Sequence, residues 1–426
     1  MEYNPDLPFY RRLHWQVLAA MILGSIAGVA FGEAGAEAIG WIGELFMRLL
    51  RMIIVPLVLT SIVSGVASVG GGRAVGRLFG KTLGYYVVSS FLAASVGLMM
   101  VNLIRPGVGS NIVESSGDPM VVDTPDSFIQ LILDIVPINF VDAAGTGDML
   151  AIIFFCIVFG AAITTLPERP RVIVTDIFDA FFKAMMALTS GIIKLLPIGV
   201  LALITRMVGT TGFEAFGTLA KYVATLASGL TIHLFITLPL VLYFGGRLAS
   251  GRPISPIIHF RNMLEPLLVA FSTSSSGATL PVTIKTVREK VGVSNKVSSF
   301  VLPMGATVNM DGTAVFECVG ALFIAQALGA DLSFMTQATV VLTALLASIG
   351  AAAVPSAGLV VIFIVLEAIG LGGNADAALI VGAMLAIDRP LDMARTAVNV
   401  YSDSCGAAII ARSEGEDHVD AQVAVG

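Results

Sequence analysis

The chain has 426 residues, of which 56% are hydrophobic and only 13% charged, about half the charged share of soluble domains. That composition cannot cover the surface of the two or three soluble domains this length would form, so a soluble enzyme is excluded. A net charge of −6 without any basic run excludes a disordered or nucleic-acid-binding chain as well. Roughly 240 hydrophobic residues, at about 20 per spanning helix, allow at most eleven or twelve spans. A polytopic helical membrane protein is the reading that fits.

The N-terminus, MEYNPDLPFYRRLHW, is too charged for a standard signal peptide, so the run 16–31 is expected to be part of a first, uncleaved span. Apolar blocks follow at 13–32, 40–70, 79–105, 127–165, 175–209 and 216–246. Several exceed the hydrocarbon thickness, which implies tilt or interruption. The fourth is broken by Pro137 and by DAAGTGD, and residues 106–126 form a polar loop. Basic residues recur in alternate loops: Arg11 and Arg12, then Arg73, Arg77 and Lys81, then Arg169 and Arg171, then Arg247, Arg252 and Arg261. The intervening segments carry Glu33, Glu37, Glu114, Asp118, Asp123 and Asp126. This alternation puts the N-terminus and the basic loops in the cytoplasm. Cys156, Cys318 and Cys405 are far apart in or beside apolar stretches and read as small core residues. The chain has no Asn-x-Ser/Thr acceptor and short tails, which suits a bacterial or archaeal plasma membrane.

The second half is different. Block 256–292 carries STSSSGATLP at 272–281, and block 333–371 carries ASIGAAAVPSAG at 347–358. Each reads as helix, a break of small residues near a proline, and helix again, too short on either side to span. Each is followed by a span with ionisable residues, VNMDGTAVFE at 308–317 and AIDRPLDMARTAVNVYSD at 386–403. Interrupted segments in matching positions point to an inverted repeat with a midplane binding site. Two kinked ordinary helices are the plainer alternative.

On a helix, Asp388, Asp392, Arg395, Asn399 and Asp403 fall within an arc of roughly 80°, with Thr396 at its edge. Four charges on one face would cost on the order of 10 kcal/mol against lipid, so the face looks into protein or a watery cavity. Internal salt bridges would explain part of it, and Asp392 with Arg395 at i,i+3 is one. Three carboxylates against one cation leave a surplus that suits cation binding. Asn309 and Asp311, with Gly312 permitting an unwound turn, supply oxygens and carbonyls for a hard cation, which for a transported monovalent ion means sodium. Ser274, Ser275 and Ser276 with Gly277 offer hydroxyls and N–H groups to a carboxylate, although serines in apolar helices more often bond their own turn.

SSSGATLP, NMDGTA, ASIGAAAVP and DMARTAVNV, in this order, together with LFMRLLRMIIVPLV at 45–58, resemble the glutamate/aspartate transporter family, the dicarboxylate/amino acid:cation symporters, and a prokaryotic member of it. The resemblance covers nearly the whole chain. It implies an all-α membrane protein of eight transmembrane helices and two re-entrant hairpins in inverted repeats, assembled as a homotrimer in the cell inner membrane with both termini cytoplasmic. It implies scaffold helices 1–2 at 1–78, helix 3 of a transport domain and the outer loop at 79–126, and scaffold helices 4–5 at 127–215. Helix 6 of the transport domain would follow at 216–255, the transport core at 256–414 and a tail at 415–426.

The same resemblance implies uptake of aspartate or glutamate with sodium by an elevator motion, with a proton as a further candidate ion. Carried over by position, Asp392 would take the amino group and Arg395 the side-chain carboxylate. Asn399 and Ser276 would hold the α-carboxylate, with Thr313 and Thr396 beside them and Ser274 at the first hairpin tip; Val354 and Gly358 would belong to a closing second hairpin. Sodium would be held by Gly305, Asn309, Asn399 and Asp403 at one site, and by Tyr86, Ser89, Ser90, Asn309 and Asp311 at another. Carbonyls of Thr307, Ser348, Ile349 and Ala351, with Met310 nearby, would form a third. Arg395 argues against relatives that carry neutral amino acids, and Asp392 against those that carry C4-dicarboxylates lacking an amino group. A proton-coupled or C4-dicarboxylate transporter of the same fold is the nearest alternative.

Two positions depart from the family pattern. Glu317 stands in the apolar run AVFECVGALFIA, where burial favours the neutral, proton-carrying form of a lone carboxylate; a salt bridge within the bundle is the competing reading. Family members usually place an arginine at the first hairpin tip or beside the substrate site, positions held here by Ser274 and Met393. Arg389, one turn before Met393, is expected to reach the same place and pair with Glu317, which also puts potassium countertransport in doubt. Two rivals come from other classes. The GTGD at 145–148 matches the pattern of intramembrane aspartyl proteases, but no Tyr-Asp partner or HExxH occurs, so it reads as a polar loop. A channel is the other.

Overall fold

The structure is a computed structural model that describes residues 13–67, 73–110, 133, 135–212, 214–330, 332–349 and 358–420. Every regular element among the described residues is helical, as expected where backbone groups in lipid have only internal partners. The first half contains α1 (Leu13–Met52), α2 (Ile54–Ala67), α3 (Arg73–Ile104), α4 (Phe140–Thr146), α5 (Met149–Thr164), α6 (Glu168–Ile193) and α7 (Leu196–Thr211). The second half contains α8 (Glu214–Ile232), α9 (Leu238–Ser250), α10 (Pro256–Thr273), α11 (Ser276–Thr286), α12 (Asn295–Val308), α13 (Asp311–Ala327), α14 (Phe334–Ile349), α15 (Gly358–Glu367) and α16 (Ala375–Ser413). Among the described residues, four helical stretches are long and apolar enough to cross a membrane, Trp15–Ala67, Arg77–Ile104, Phe216–Ser250 and Asn295–Ala327. A fifth arises if α6 and α7, bent by 50° at their junction, count as one.

The first two apolar blocks are helical arms that meet at Gly32, whose φ of 54° belongs to the left-handed region a side chain disfavours. The chain reverses there, since Gly24 seats against Leu201 and Ile204 of α7 and Gly43, on the other arm, against Leu203. GTGD also has a definite form: Gly147 ends α4 in a left-handed turn, and the Asp148 carboxylate accepts from Ala151 N at 3.2 Å as the cap of α5. Its side chain is committed to capping.

The core of the second half is α13, every residue of which is buried from Asp311 to Gln326. It is hydrophobic around nearly its whole circumference, as a helix surrounded by other helices must be, and it packs on α3, α8, α14, α15 and α16. The first break read from the sequence is present at Ser274 and Ser275, while the second falls on 350–357, outside the described residues. α10 and α11 pack on each other across Ser274 and Ser275, and α14 packs on α15. The tip joining α14 to α15, including Ala351 and Val354, lies outside the described residues, as do 111–132 and 421–426. α16 threads between both pairs and meets α7 where the Leu203 side chain seats against Gly382.

Candidate substrate and cation site

α16 begins at Asn374, whose side chain accepts from the N–H groups of Asp376 and Ala377, both at 2.8 Å. Capping one end and packing along its length fix the helix that carries the polar stripe. Arg395, 1% exposed, lies in the middle. Its Nη2 sits 2.9 Å from both Asp388 Oδ1 and Asp392 Oδ1, and its Cζ lies 3.9 Å over the Phe316 ring. The internal salt bridge and the surplus of carboxylate therefore coexist. Two acids and an aromatic face fix the guanidinium in place, while its Nε and Nη1 have no hydrogen-bond partner. Unsatisfied buried donors on a cation are costly unless an anion completes them. The arrangement is suited to a carboxylate.

Around it, Gly358 is buried so close that a Cβ there would stand 3.0 Å from Arg395 Nη1. Gly312 lies against the Arg395 backbone, where a Cβ would overlap it, so α13 and α16 touch at the site because that residue has no side chain. Thr313 is buried, and Thr396 gives its hydroxyl proton to Asp392 O at 2.8 Å. Ser274 has a left-handed φ of 51°, is buried, and leaves Oγ unpartnered; Ser276 opens α11.

Arg389 is a correction. Its Nη1 lies 3.6 Å from Asp392 Oδ2, so it takes the carboxylate one turn along its own helix rather than Glu317. Glu317 is fully buried with neither oxygen hydrogen-bonded, and the salt bridge that would explain it structurally is absent among the described residues.

The cation side is built where α12 stops and α13 begins. Asn309 and Met310 leave helical geometry between them, the unwinding expected of NMDG. Asn309 Nδ2 donates to Ser402 Oγ and Asp403 Oδ1, both at 2.9 Å, and its Oδ1 is unpartnered. Asn399 Oδ1 accepts from Gly312 N at 2.7 Å. Gly305 lets Asp403 and Tyr86 approach from opposite helices, since a Cβ would strike both. These contacts bring Gly305, Asn309 and Asp403 together, with Asn399 held beside them on α16 by its bond to Gly312.

Asp311 receives hydrogen bonds from Ser89, from Ser90 at 2.8 Å, from Ser402 at 2.6 Å and from His233 Nε2 at 3.0 Å. Tyr86 donates to Val301 O at 2.7 Å beside them. Of the second expected set, Ser89, Ser90 and Asp311 are joined directly, while Asn309 reaches them through Ser402 and Tyr86 lies beside them. The third is not drawn together by any such contact among the described residues: Ser348 bonds Leu345 O and exposed Thr307 bonds Met304 O, while Met310 is buried and Ile349 ends α14.

Four contributors were missed by sequence reasoning. His233 lies where a wide π turn (His233–Thr237) interrupts the column from α8 to α9, an irregularity common at functional sites. It is a titratable group in an apolar block, and the rule applied to the charges would have flagged it. Ser402 adjoins Asp403 on the stripe. Asp388 was read as a charge but not as a partner of Arg395, and Phe316 comes from another helix, so neither pairing has a spacing to betray it.

A family model described as "Sodium:dicarboxylate symporter family" matches residues 13–413. A proton/sodium-glutamate symport protein of Bacillus caldotenax is 36% identical over 414 residues, 95% of each chain. A proton/glutamate-aspartate symporter of Escherichia coli is 33% identical over 419 residues, 94% of this chain and 93% of that one. A neutral amino acid transporter B(0) of Bos taurus is 36% identical over 433 residues, 92% of this chain and 78% of that one. Overall identity thus does not separate acidic from neutral cargo, and the side chains of the site must.

Proposed function

The chain belongs to the sodium:dicarboxylate symporter family, and on that footing we propose that it carries aspartate or glutamate across the bacterial inner membrane together with sodium. The observation that carries the cargo is Arg395. A buried guanidinium held by Asp388 and Asp392, with Nε and Nη1 unpartnered, is a receptor for a side-chain carboxylate. Asp392 stands beside it for the ammonium group. Asn399, Ser276, Thr313 and Thr396 take the α-carboxylate end, with Ser274, Val354 and Gly358 on the two hairpins. The bacterial relatives named for glutamate and aspartate symport support the same cargo.

Sodium is held in oxygen cages of the kind hard cations require: Gly305, Asn309, Asn399 and Asp403 in one, and Tyr86, Ser89, Ser90, Asn309 and Asp311 in a second. The third comprises Thr307, Met310, Ser348, Ile349 and Ala351. A proton is the further ion, carried by Glu317, which lacks the fixed cationic partner that would hold it ionised. Eight spans and two hairpins, a homotrimer, and an elevator motion of 79–126 and 216–414 against a scaffold of 1–78 and 127–215 complete the proposal, with both termini cytoplasmic.

The test is uptake of labelled aspartate and glutamate into proteoliposomes, with sodium and pH gradients imposed separately and succinate as competitor. Saturable, sodium-driven uptake of the acidic amino acids, weakly inhibited by succinate, is expected. Uptake that persists without sodium removes the sodium assignment, and preference for succinate establishes the C4-dicarboxylate reading instead. Ohmic current without substrate would mark a channel.

A further inference from the structure

Beyond the transport site, the chain ends in a short segment whose contacts are unusually dispersed. After α16 stops at Ser413, residues 414–420 turn back across the ends of several helices. Glu414 meets two cations of α3, Arg77 at 2.6 Å and Lys81 at 2.7 Å. Glu416 accepts from Ser294, from its backbone N–H at 2.8 Å and from its hydroxyl at 2.5 Å, at the start of α12. Asp420 N donates to Val291 O at 2.8 Å, at the end of the segment following α11.

The last anchor is buried. Asp420 Oδ2 lies 2.7 Å from His259 Nδ1, and its Oδ1 accepts from Asn262 Nδ2 at 3.0 Å. His259 and Asn262 are on the first turns of α10, the base of the first hairpin. The other ring nitrogen of His259 faces Ser404 Oγ of α16 at 2.9 Å. Val419 is fully buried, and its carbonyl accepts from the buried Arg412 at 2.7 Å, the one hydrogen bond that guanidinium makes through Nη2.

Serine, histidine and aspartate stand here in the order of a hydrolytic triad, but Ser404 is fully buried and gives its hydroxyl proton to Tyr401 O at 2.7 Å. No substrate reaches it. What the contacts share is their distribution: one strap seven residues long touches α3, α10, the turn after α11, α12 and α16. A segment bonded to one helix stabilises that helix; a segment bonded to four helices and a turn fixes their relative positions.

We infer that residues 414–420 are a clasp that holds the ends of α3, α10, α12 and α16 as one rigid body, with the buried His259–Asp420 pair as its lock. The clasp lies beyond the C-terminal end of α16, whereas Arg395 lies midway along that helix, so it governs the motion of the core rather than its affinity for substrate. Its consequence for transport rests on the elevator reading; its consequence for rigidity does not.

Hydrogen–deuterium exchange on the full-length protein in nanodiscs, without substrate, separates the two. In Asp420→Ala and His259→Leu, amides of 257–263 and 288–296 are expected to exchange roughly ten- to a hundredfold faster, the effect of losing a buried charged hydrogen bond, while α13 is unchanged. Maximal sodium-driven uptake falls several-fold with half-saturation for substrate and sodium unaltered. Unchanged exchange at 257–263 in folded variants overturns the clasp. Loss of uptake with unchanged exchange overturns it too. Should the alanine variant fail to fold, Asp420→Asn and His259→Gln enter a double-mutant cycle on thermal unfolding: non-additive shifts support the lock, and additive shifts overturn it.

Discussion

Two helices of this chain carry ionisable groups in opposite ways. α6 is largely exposed along its length, and its Asp179 and Lys183 pair with each other at i,i+4, 2.6 Å apart. α13 is wholly enclosed, and its Asp311 is served by side chains from α3, the π turn and α16, while Glu317 is served by none. Charge on an exposed face finds a local partner or water and contributes little. Charge inside the bundle must be met by other helices, and where it is left open it awaits something that is not protein. The proposed site draws on the second kind of helix. Substitutions that exchange or remove its groups test the distinction, and the first should have the largest effect.

Arg395→Ala leaves Asp388 and Asp392 buried without their shared cation and removes the proposed carboxylate receptor. Removing one partner of a buried charge pair across a binding interface costs about 2–5 kcal/mol, so aspartate affinity should fall roughly 30-fold or more. Uptake of a neutral amino acid should be lost far less than uptake of aspartate. Equal loss for both in equilibrium binding would assign Arg395 to folding rather than to cargo.

Asp311→Asn puts an amide where four donors converge, so at least one is left facing another donor. Sodium half-saturation should rise by about tenfold or more while aspartate binding at saturating sodium changes little. His233→Leu removes one of the four and should give a smaller rise in the same direction, partly restored in His233→Gln. An unchanged sodium dependence in both would detach this cluster from the cation.

Glu317→Gln keeps the shape and removes the titratable group. Sodium-driven uptake should persist while its dependence on an imposed pH gradient flattens. An unaltered pH-gradient dependence would leave Glu317 as a packing residue, closer in kind to the charges of α6.

Much of this was legible beforehand because of the solvent. In lipid every charge needs a reason, so the stripe from Asp388 to Asp403 and the NMDG break stood out against an apolar background. Periodicity placed the stripe on one face, and the small residues at 272–281 marked a break. Pairings across helices were not legible. Spacing along one helix joins Asp392 to Arg395, but nothing local joins Asp388 to the same nitrogen rather than to Arg389, or seats Phe316 beneath Arg395. Reach alone lets Arg389 pair with Glu317, but the Asp392 carboxylate three residues away on its own helix is nearer. The clasp was unreadable, since residues 415–420 look like a polar tail until their partners on α10 and α12 are brought near.

The smallest effect belongs to Glu414, the member of the clasp most open to water on its partners' side. Lys81, and after it Arg77, hold its carboxyl below the usual carboxylate range, against a smaller opposing effect of burial. A carboxylate lowered in the folded state adds stability that is fully present above its unfolded value and is lost as pH falls through its folded one. Glu414→Gln should therefore lower the apparent Tm at neutral pH by an amount corresponding to about 0.5–1 kcal/mol, as for a partly exposed ion pair. The difference between wild type and variant should stay constant down to about pH 5 and then shrink toward zero on further acidification. A difference that grew on acidification would have the wrong sign for an ionised Glu414 in the clasp. One that disappeared at neutral pH in high salt, while the His259–Asp420 coupling persisted, would show that the strap is held by its buried lock and that this outer pair behaves like the exposed pairs of α6.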